Sequence, residues 1–175
     1  MRRTTLRLVC LVALAGAVVA CSDDDGGGEG AGPTTSDQTS TEGVCAVLDP
    51  ARASEALGAD FDKAVPSEGS CTYTSTTSQT AFTLQSSALG ADEADLVLET
   101  LAASCDPGTR APRTIAGAEG AFACLAGGVP SVVAVGGGVR LVLTGNSREE
   151  GATPERVTDG LVALMADALA GSTES

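Results

Sequence analysis

The sequence predicts an α+β domain in which an antiparallel sheet is packed by helices. Three observations predict it. Three segments carry helix caps or an apolar repeat of three to four residues, the spacing of a helix face. Between them lie short segments rich in Thr, Val and Leu that alternate at period two or run as β-branched stretches, the pattern of strands. The breaks between successive strands are too short for parallel crossovers, so the strands pair antiparallel.

Asp49 followed by Pro50 reads as an N-cap and first helical position, and Gly58 as a C-terminal stop, which gives a short helix over residues 50–57. Cys45 lies just ahead of its start. Ser70 to Ser75 and Gln79 to Ser87 are rich in Thr and Ser; in the second, Phe82 and Leu84 point to one face while Ala81, Thr83 and Gln85 point to the other. These read as two strands joined by a Ser and Thr turn. From Ala91 to Ser104 the period changes: Ala94, Val97, Leu98, Leu101 and Cys105 form one helical face, and Asp92, Glu93 and Asp95 in the first turn complement the helix dipole. Pro107, Gly108 and Pro112 break the chain before a strand at Ala121 to Leu125 that carries Phe122 and Cys124. Ser131 to Val135 and Val139 to Thr144 flank Gly136, Gly137 and Gly138, a hairpin signature. The closing helix runs over residues 154–170, with Thr153 as cap, Pro154 at its first position, and Val157, Leu161, Leu164 and Ala168 on one face. The predicted element order is αββαβββα.

Hydrophobic residues make up 43% of the chain but aromatics only 2%, so the core is expected to consist of Ala, Val and Leu with few large anchors. The domain carries Cys45, Cys71, Cys105 and Cys124, an even number that reads as two disulfides with three possible pairings. Their order along the predicted elements favours Cys45 with Cys71 and Cys105 with Cys124. Each bridge would contribute about 3 kcal/mol by restricting the unfolded chain. None sits in a CxxC spacing, which weakens redox-active and zinc-knuckle readings.

Ahead of the domain, residues 1–20 read as a secretory leader. Arg2, Arg3 and Arg7 form a cationic start, and the apolar run from Leu8 to Ala20 is shorter than the roughly 20 residues that a membrane-spanning helix needs. The run closes on Val18, Val19 and Ala20, and Cys21 follows, the arrangement of a lipobox in which the Cys thiol receives a diacylglycerol. Two acyl chains on one thiol supply a durable anchor, at about 0.8 kcal/mol per buried methylene. Residues 21–43 hold an Asp run, a Gly run and many Thr and Ser with no large apolar side chain, so they read as a lipidated, disordered tether. A Gly-rich coil of that length has an end-to-end distance of roughly 25 Å. The Thr and Ser cluster beside Pro33 also suits O-linked sugar. The domain then occupies residues 44–175, and the chain is expected at the extracytoplasmic face of the cell membrane.

Charge narrows the function. The chain has 10 Lys and Arg against 23 Asp and Glu, a net charge of −13. From Val44 onward, seven basic and seventeen acidic residues leave −10. Such a surface repels phosphate, which excludes binding to nucleic acid through a basic face, and an anionic bilayer repels it too, so the lipid on Cys21 makes the membrane contact. There is no His, which removes the commonest general base and zinc ligand. Lys63, the single lysine, and the acid pairs Asp60 with Asp62 and Glu149 with Glu150 read as solvated surface groups. No catalytic residue, metal ligand or cofactor site is assigned, and the chain reads as a non-enzyme.

Cys21, the Thr-rich tether, Cys45, Leu48, the Ala-rich stretch through Leu57 and Gly58, Cys71 with Tyr73, and the small-residue turn Ile115, Ala116, Gly117, Gly120 and Ala121 carry a family likeness. They resemble the small actinobacterial secreted lipoproteins grouped as a domain of unknown function (DUF3558-like). The element order is also similar to the PsbP-like arrangement, which implies a sandwich of helices around an antiparallel sheet. Neither resemblance brings catalytic residues. Two functional expectations follow: a protein-interaction module displayed at the cell surface, or a carrier of a small apolar ligand such as a lipid between sheet and helices. The first is favoured, because a domain this small needs its apolar residues for its own core.

Overall fold

The computed structural model describes residues 41–90 and 92–172. Two short helices, α1 (Thr41–Ala46) and α2 (Pro50–Leu57), open the domain. A three-stranded meander follows: β1 (Phe61–Ser67), β2 (Ser70–Ser75) and β3 (Ala81–Ala88). Helix α3 (Ala94–Ala102) leads to a second meander of β4 (Ala111–Pro112), β5 (Gly120–Ala126), β6 (Val129–Gly136) and β7 (Val139–Asn146), and α4 (Pro154–Ser172) closes the chain. The seven strands form one antiparallel sheet in the order β1-β2-β3-β7-β6-β5-β4. The two meanders therefore join where β7 pairs with β3, from Ala81 opposite Asn146 to Ala88 opposite Val139.

The α+β class and the antiparallel sheet packed by helices stand as the sequence predicts. The element order is longer than expected, with α1, β1 and β4 added. β1 escapes sequence reading because Pro66 and the charged pair Asp62 and Lys63 interrupt any strand pattern. It forms at the sheet edge, where a residue without an N–H is tolerated, and its register slips between Phe61 and Lys63. Helix α3 begins at Ala94 rather than Ala91 because Asp92 holds a left-handed backbone, φ 67°, which an α-helix cannot include.

Local chemistry sets the other ends. The Asp49 carboxylate accepts from the Ala51 N–H at 2.8 Å, and Thr153 Oγ1 accepts from the Arg156 N–H at 3.3 Å, so both predicted caps are made. Gly137 and Gly138 adopt φ 60° and 74°, both left-handed, as a two-residue hairpin turn requires. Gly160 lets α4 approach α2: a Cβ there would lie 2.6 Å from Leu57 Cδ2 and 2.8 Å from the Ala56 carbonyl oxygen.

Alternation divides the sheet into two faces. On the first, Cys71, Tyr73, Phe82, Leu84, Leu141 and Leu143 pack beneath α1, α2 and α4, which contribute Val44, Ala53, Leu161, Leu164 and Met165, and beneath Leu48 in the link between α1 and α2. On the second, Phe122, Cys124 and Val133 pack beneath Leu98, Leu101 and Ala102 of α3. Helices thus lie on both faces. Three of the four aromatic residues gather in the first core: Phe82 stacks on Tyr73, with centroids 4.4 Å apart and planes 5° apart, and meets Phe61 edge-on at 5.2 Å.

The Tyr73 hydroxyl is buried and donates toward the carbonyls of Leu48 at 3.1 Å and Cys45 at 3.2 Å. Ionisation would leave a phenolate facing two carbonyl oxygens. Burial first, and the Asp49 carboxylate second, push its pKa from 10.0 up to about 12. Between those values the unfolded chain releases the proton and the folded chain keeps it, so stability present below pH 10 is lost as pH rises toward 12. The loss amounts to about 2–3 kcal/mol. Because Tyr73 is the only tyrosine and there is no Trp, the tyrosinate absorbance band reports this phenol alone. It is expected to appear late and together with unfolding; a band rising at ordinary phenol pH on a folded chain would contradict the burial.

Candidate interaction face

Helix α3 covers β5 and β6 on the second face and reaches as far as Val142 on β7. The second face of β1, β2 and β3 has no helix over it among the described residues. Register places there a row that runs from Val65 at the edge through a series of hydroxyl side chains. Val65 stands opposite Thr72, Thr72 opposite Thr83, Thr83 opposite Thr144, and Thr144 opposite Ser131. Neighbouring strands bring these side chains about 4.8 Å apart. Two pairs hydrogen-bond through their hydroxyls: Thr72 with Thr83 at 3.2 Å, and Ser131 with Thr144 at 3.2 Å. Val65, at the edge, is 48% exposed. The row ends at Cys124, opposite Ser131, where the Cys105–Cys124 disulfide and α3 begin.

The face is also set apart by charge. Strands β2, β3, β6 and β7 contain no Asp or Glu, and their one charged residue is Arg140. The acids lie around them: Glu68 in the β1–β2 turn, and Asp92, Glu93, Asp95 and Glu99 on α3 and its approach. A hydroxyl-lined surface whose central strands carry no carboxylate is therefore bordered by carboxylates. Such a surface is wetted in the free protein and offers donors and acceptors to a partner without an unpaired buried charge.

The cysteines fall into two bridges, Cys45 with Cys71 and Cys105 with Cys124, with Cα atoms 5.1 and 5.8 Å apart. The first ties α1 to β2 and the second ties the end of α3 to β5. Beside the second, the Asp106 carboxylate accepts from the N–H groups of Gly127 and Gly128 at 3.1 and 2.8 Å, clamping the β5–β6 turn. Cys21 lies outside the described residues. The remaining groups weighed from sequence do not converge. Asp60 is exposed and accepts from Thr77 Oγ1 at 3.4 Å, Glu149 and Glu150 are exposed in the segment before α4, and Lys63 lies on β1. Glu155, at the start of α4, accepts from its own backbone N–H and from Thr153, which lowers its pKa. Arg52 bridges Asp167 at 3.3 Å and Glu55 at 2.9 Å, and these carboxylates raise its pKa, Asp167 most. Exposed pairs of this kind contribute little to stability.

Sequence reading placed Thr83 opposite Phe82 and Leu84 but could not assemble the hydroxyl row. The signal was present as alternation of Thr72 and Thr74 with Cys71 and Tyr73, and of Thr144 with Leu143. What was missing was the β3–β7 pairing. Comparison with protein-family models, curated proteins and solved structures finds no match to this chain.

Proposed function

We propose that this chain is a lipoprotein, anchored through a diacylglycerol on Cys21 to the extracytoplasmic face of the cell membrane, whose domain is a non-catalytic protein-interaction module. The observation that carries the docking reading is the uncovered second face of β1, β2 and β3, hydroxyl-lined and free of carboxylates on its central strands. A domain of charge −10 selects a partner with cations around its contact surface, and the acids bordering this face would meet that rim. Against the lipid-carrier alternative stands the filling of the layer between sheet and helices: Tyr73, Leu84, Leu141, Leu143, Leu161 and Leu164 are each fully buried there. The anchor reading draws on the leader, on Cys21 and on the polar tether that follows; no described helix is long and apolar enough to cross a membrane.

Two measurements test the two halves. Detergent phase separation of the native product should place it in the detergent phase with a mass above bare polypeptide, and Cys21→Ser should move it entirely to the aqueous phase. A native product already wholly aqueous would sink the anchor. For docking, a photocrosslinker at Thr83 should capture one protein in intact cells, with capture falling as salt rises, while the same group at exposed Ala163 on α4 should capture none. Equal capture from both positions, or none from Thr83, would remove the face from consideration.

A further inference from the structure

A second feature lies on the other side of the sheet, and it stands apart from the anchor and from the docking face. Helix α4 packs over β6 and β7 and leaves the outer edge of the first face uncovered. The gap is a cleft of about 250 Å³ between the first turns of α4 and strands β4 and β5. Its floor is short and apolar, built from Ala111, Ala123 and Leu125. Its walls carry opposite charges: Arg113, just after β4, and Asp159, one turn into α4.

The polar groups of the lining divide into those already engaged and those left over. Thr158 Oγ1 donates to the Pro154 carbonyl at 2.8 Å, and Thr109 Oγ1 donates to the Asp106 carbonyl at 2.8 Å. The Glu155 carboxylate is turned onto the end of its own helix. Thr153 caps the helix start, and Pro154 has no N–H to give. The helix end therefore has no role in holding an anion here. Arg113 and Asp159 make no ion pair with each other or with any other described residue. The cleft holds a cation and an anion apart across an apolar floor.

We infer that this cleft binds a small zwitterion with an aliphatic side chain, of free amino-acid size, its carboxylate on Arg113, its ammonium on Asp159 and its side chain over Ala111 and Ala123. The volume falls below the roughly 300 Å³ at which pockets for drug-sized ligands begin, which sets the size class. Both charges are at an open rim, so affinity is modest, with Kd on the order of 1 mM.

The test is amide chemical-shift titration of the chain from residue 21 onward carrying Cys21→Ser; every core residue lies between Val44 and Leu169, so this chain keeps the whole core. L-Leucine is expected to move the amides of Ala111, Ala123 and Thr158 saturably. Leucinamide, which lacks the carboxylate, and N-acetylleucine, which lacks the ammonium, should each bind about tenfold more weakly. R113Q should weaken leucine to the level of leucinamide while leaving leucinamide itself unchanged, and D159N should do the same with respect to N-acetylleucine. Both positions are exposed, so both variants should fold. No saturable movement at about 20 mM leucine, or leucine affinity unchanged in both variants, would overturn the inference.

Discussion

Phe82→Ala is expected to destabilise the domain by about 4 kcal/mol and to lower its melting midpoint by roughly 15 °C. Phe82 is 2% exposed and lies between Tyr73 and Phe61, so its ring is the shared member of the one aromatic cluster in the chain. The surrounding core is Ala, Val and Leu, and short branched side chains cannot swing into the space a phenyl ring leaves. Backbone collapse is blocked as well. Gly145 sits opposite Phe82 in the ladder, with its Cβ position already 3.1 Å from Phe82 Cβ and 3.2 Å from Leu161 Cδ2, so β3, β7 and α4 are in contact there. Phe82→Leu keeps most of the volume and is expected to cost under about 1.5 kcal/mol. Phe122→Ala is the internal comparison. Phe122 belongs to the smaller cluster under α3, where the Arg110 guanidinium lies 5.0 Å over its ring, and α3 can settle toward the sheet because none of its residues is fully buried. Its loss should therefore fall below that of Phe82. Urea unfolding of the three variants measures the order; a Phe82→Ala cost under about 1.5 kcal/mol would mean the cluster does not anchor the fold.

The features of this fold that sequence reading recovers are those specified within a few residues. Asp49 and Pro50, Thr153 and Pro154, and the Gly136 to Gly138 run each act locally, and the helix starts and the hairpin they predict are where they should be. What escapes is specified at a distance. Helix α1 has six residues, too few to hold itself, and exists because Val44 and Leu48 are buried and Cys45 is bridged; its Thr41 and Gly43 read as tether because their composition continues it. β4 is two residues long, below the length at which any periodicity registers. The hydroxyl row is half legible: Thr83 alternates with Phe82 and Leu84 in plain view, but its neighbour across the sheet is Thr144, some sixty residues on, and strand order between two meanders has no local signature. The cleft beside α4 depends on β4 and so shares its invisibility.

Removing the Cys45–Cys71 bridge is expected to cost more than removing Cys105–Cys124, and the excess is informative. The bridges span 26 and 19 residues, and loop-closure entropy gives each about 3–3.5 kcal/mol with a difference of only about 0.3 kcal/mol between them. That account considers the unfolded chain alone. In the folded chain the two bridges hold different things. Cys105–Cys124 fastens the end of a helix to a strand that is also held by Asp106, through its carboxylate on the Gly127 and Gly128 N–H groups and its own N–H on the Leu125 carbonyl. Cys45–Cys71 fastens a helix of six residues, whose other ties are Val44, Leu48 and the Tyr73 hydroxyl on the carbonyls of Cys45 and Leu48. Once the bridge is gone those ties must hold α1 unaided, and the Tyr73 phenol loses its cover if they fail. The double variant Cys45→Ala with Cys71→Ala should therefore lose about 4–5 kcal/mol, and its Tyr73 should titrate closer to 10 than to 12 while the sheet is still folded. The matching variant at Cys105 and Cys124 should lose about 3 kcal/mol and leave the tyrosine titration in place. Equal losses from the two variants with an unmoved phenol in both would show that α1 holds without its bridge, and that the disulfide acts only on the unfolded chain.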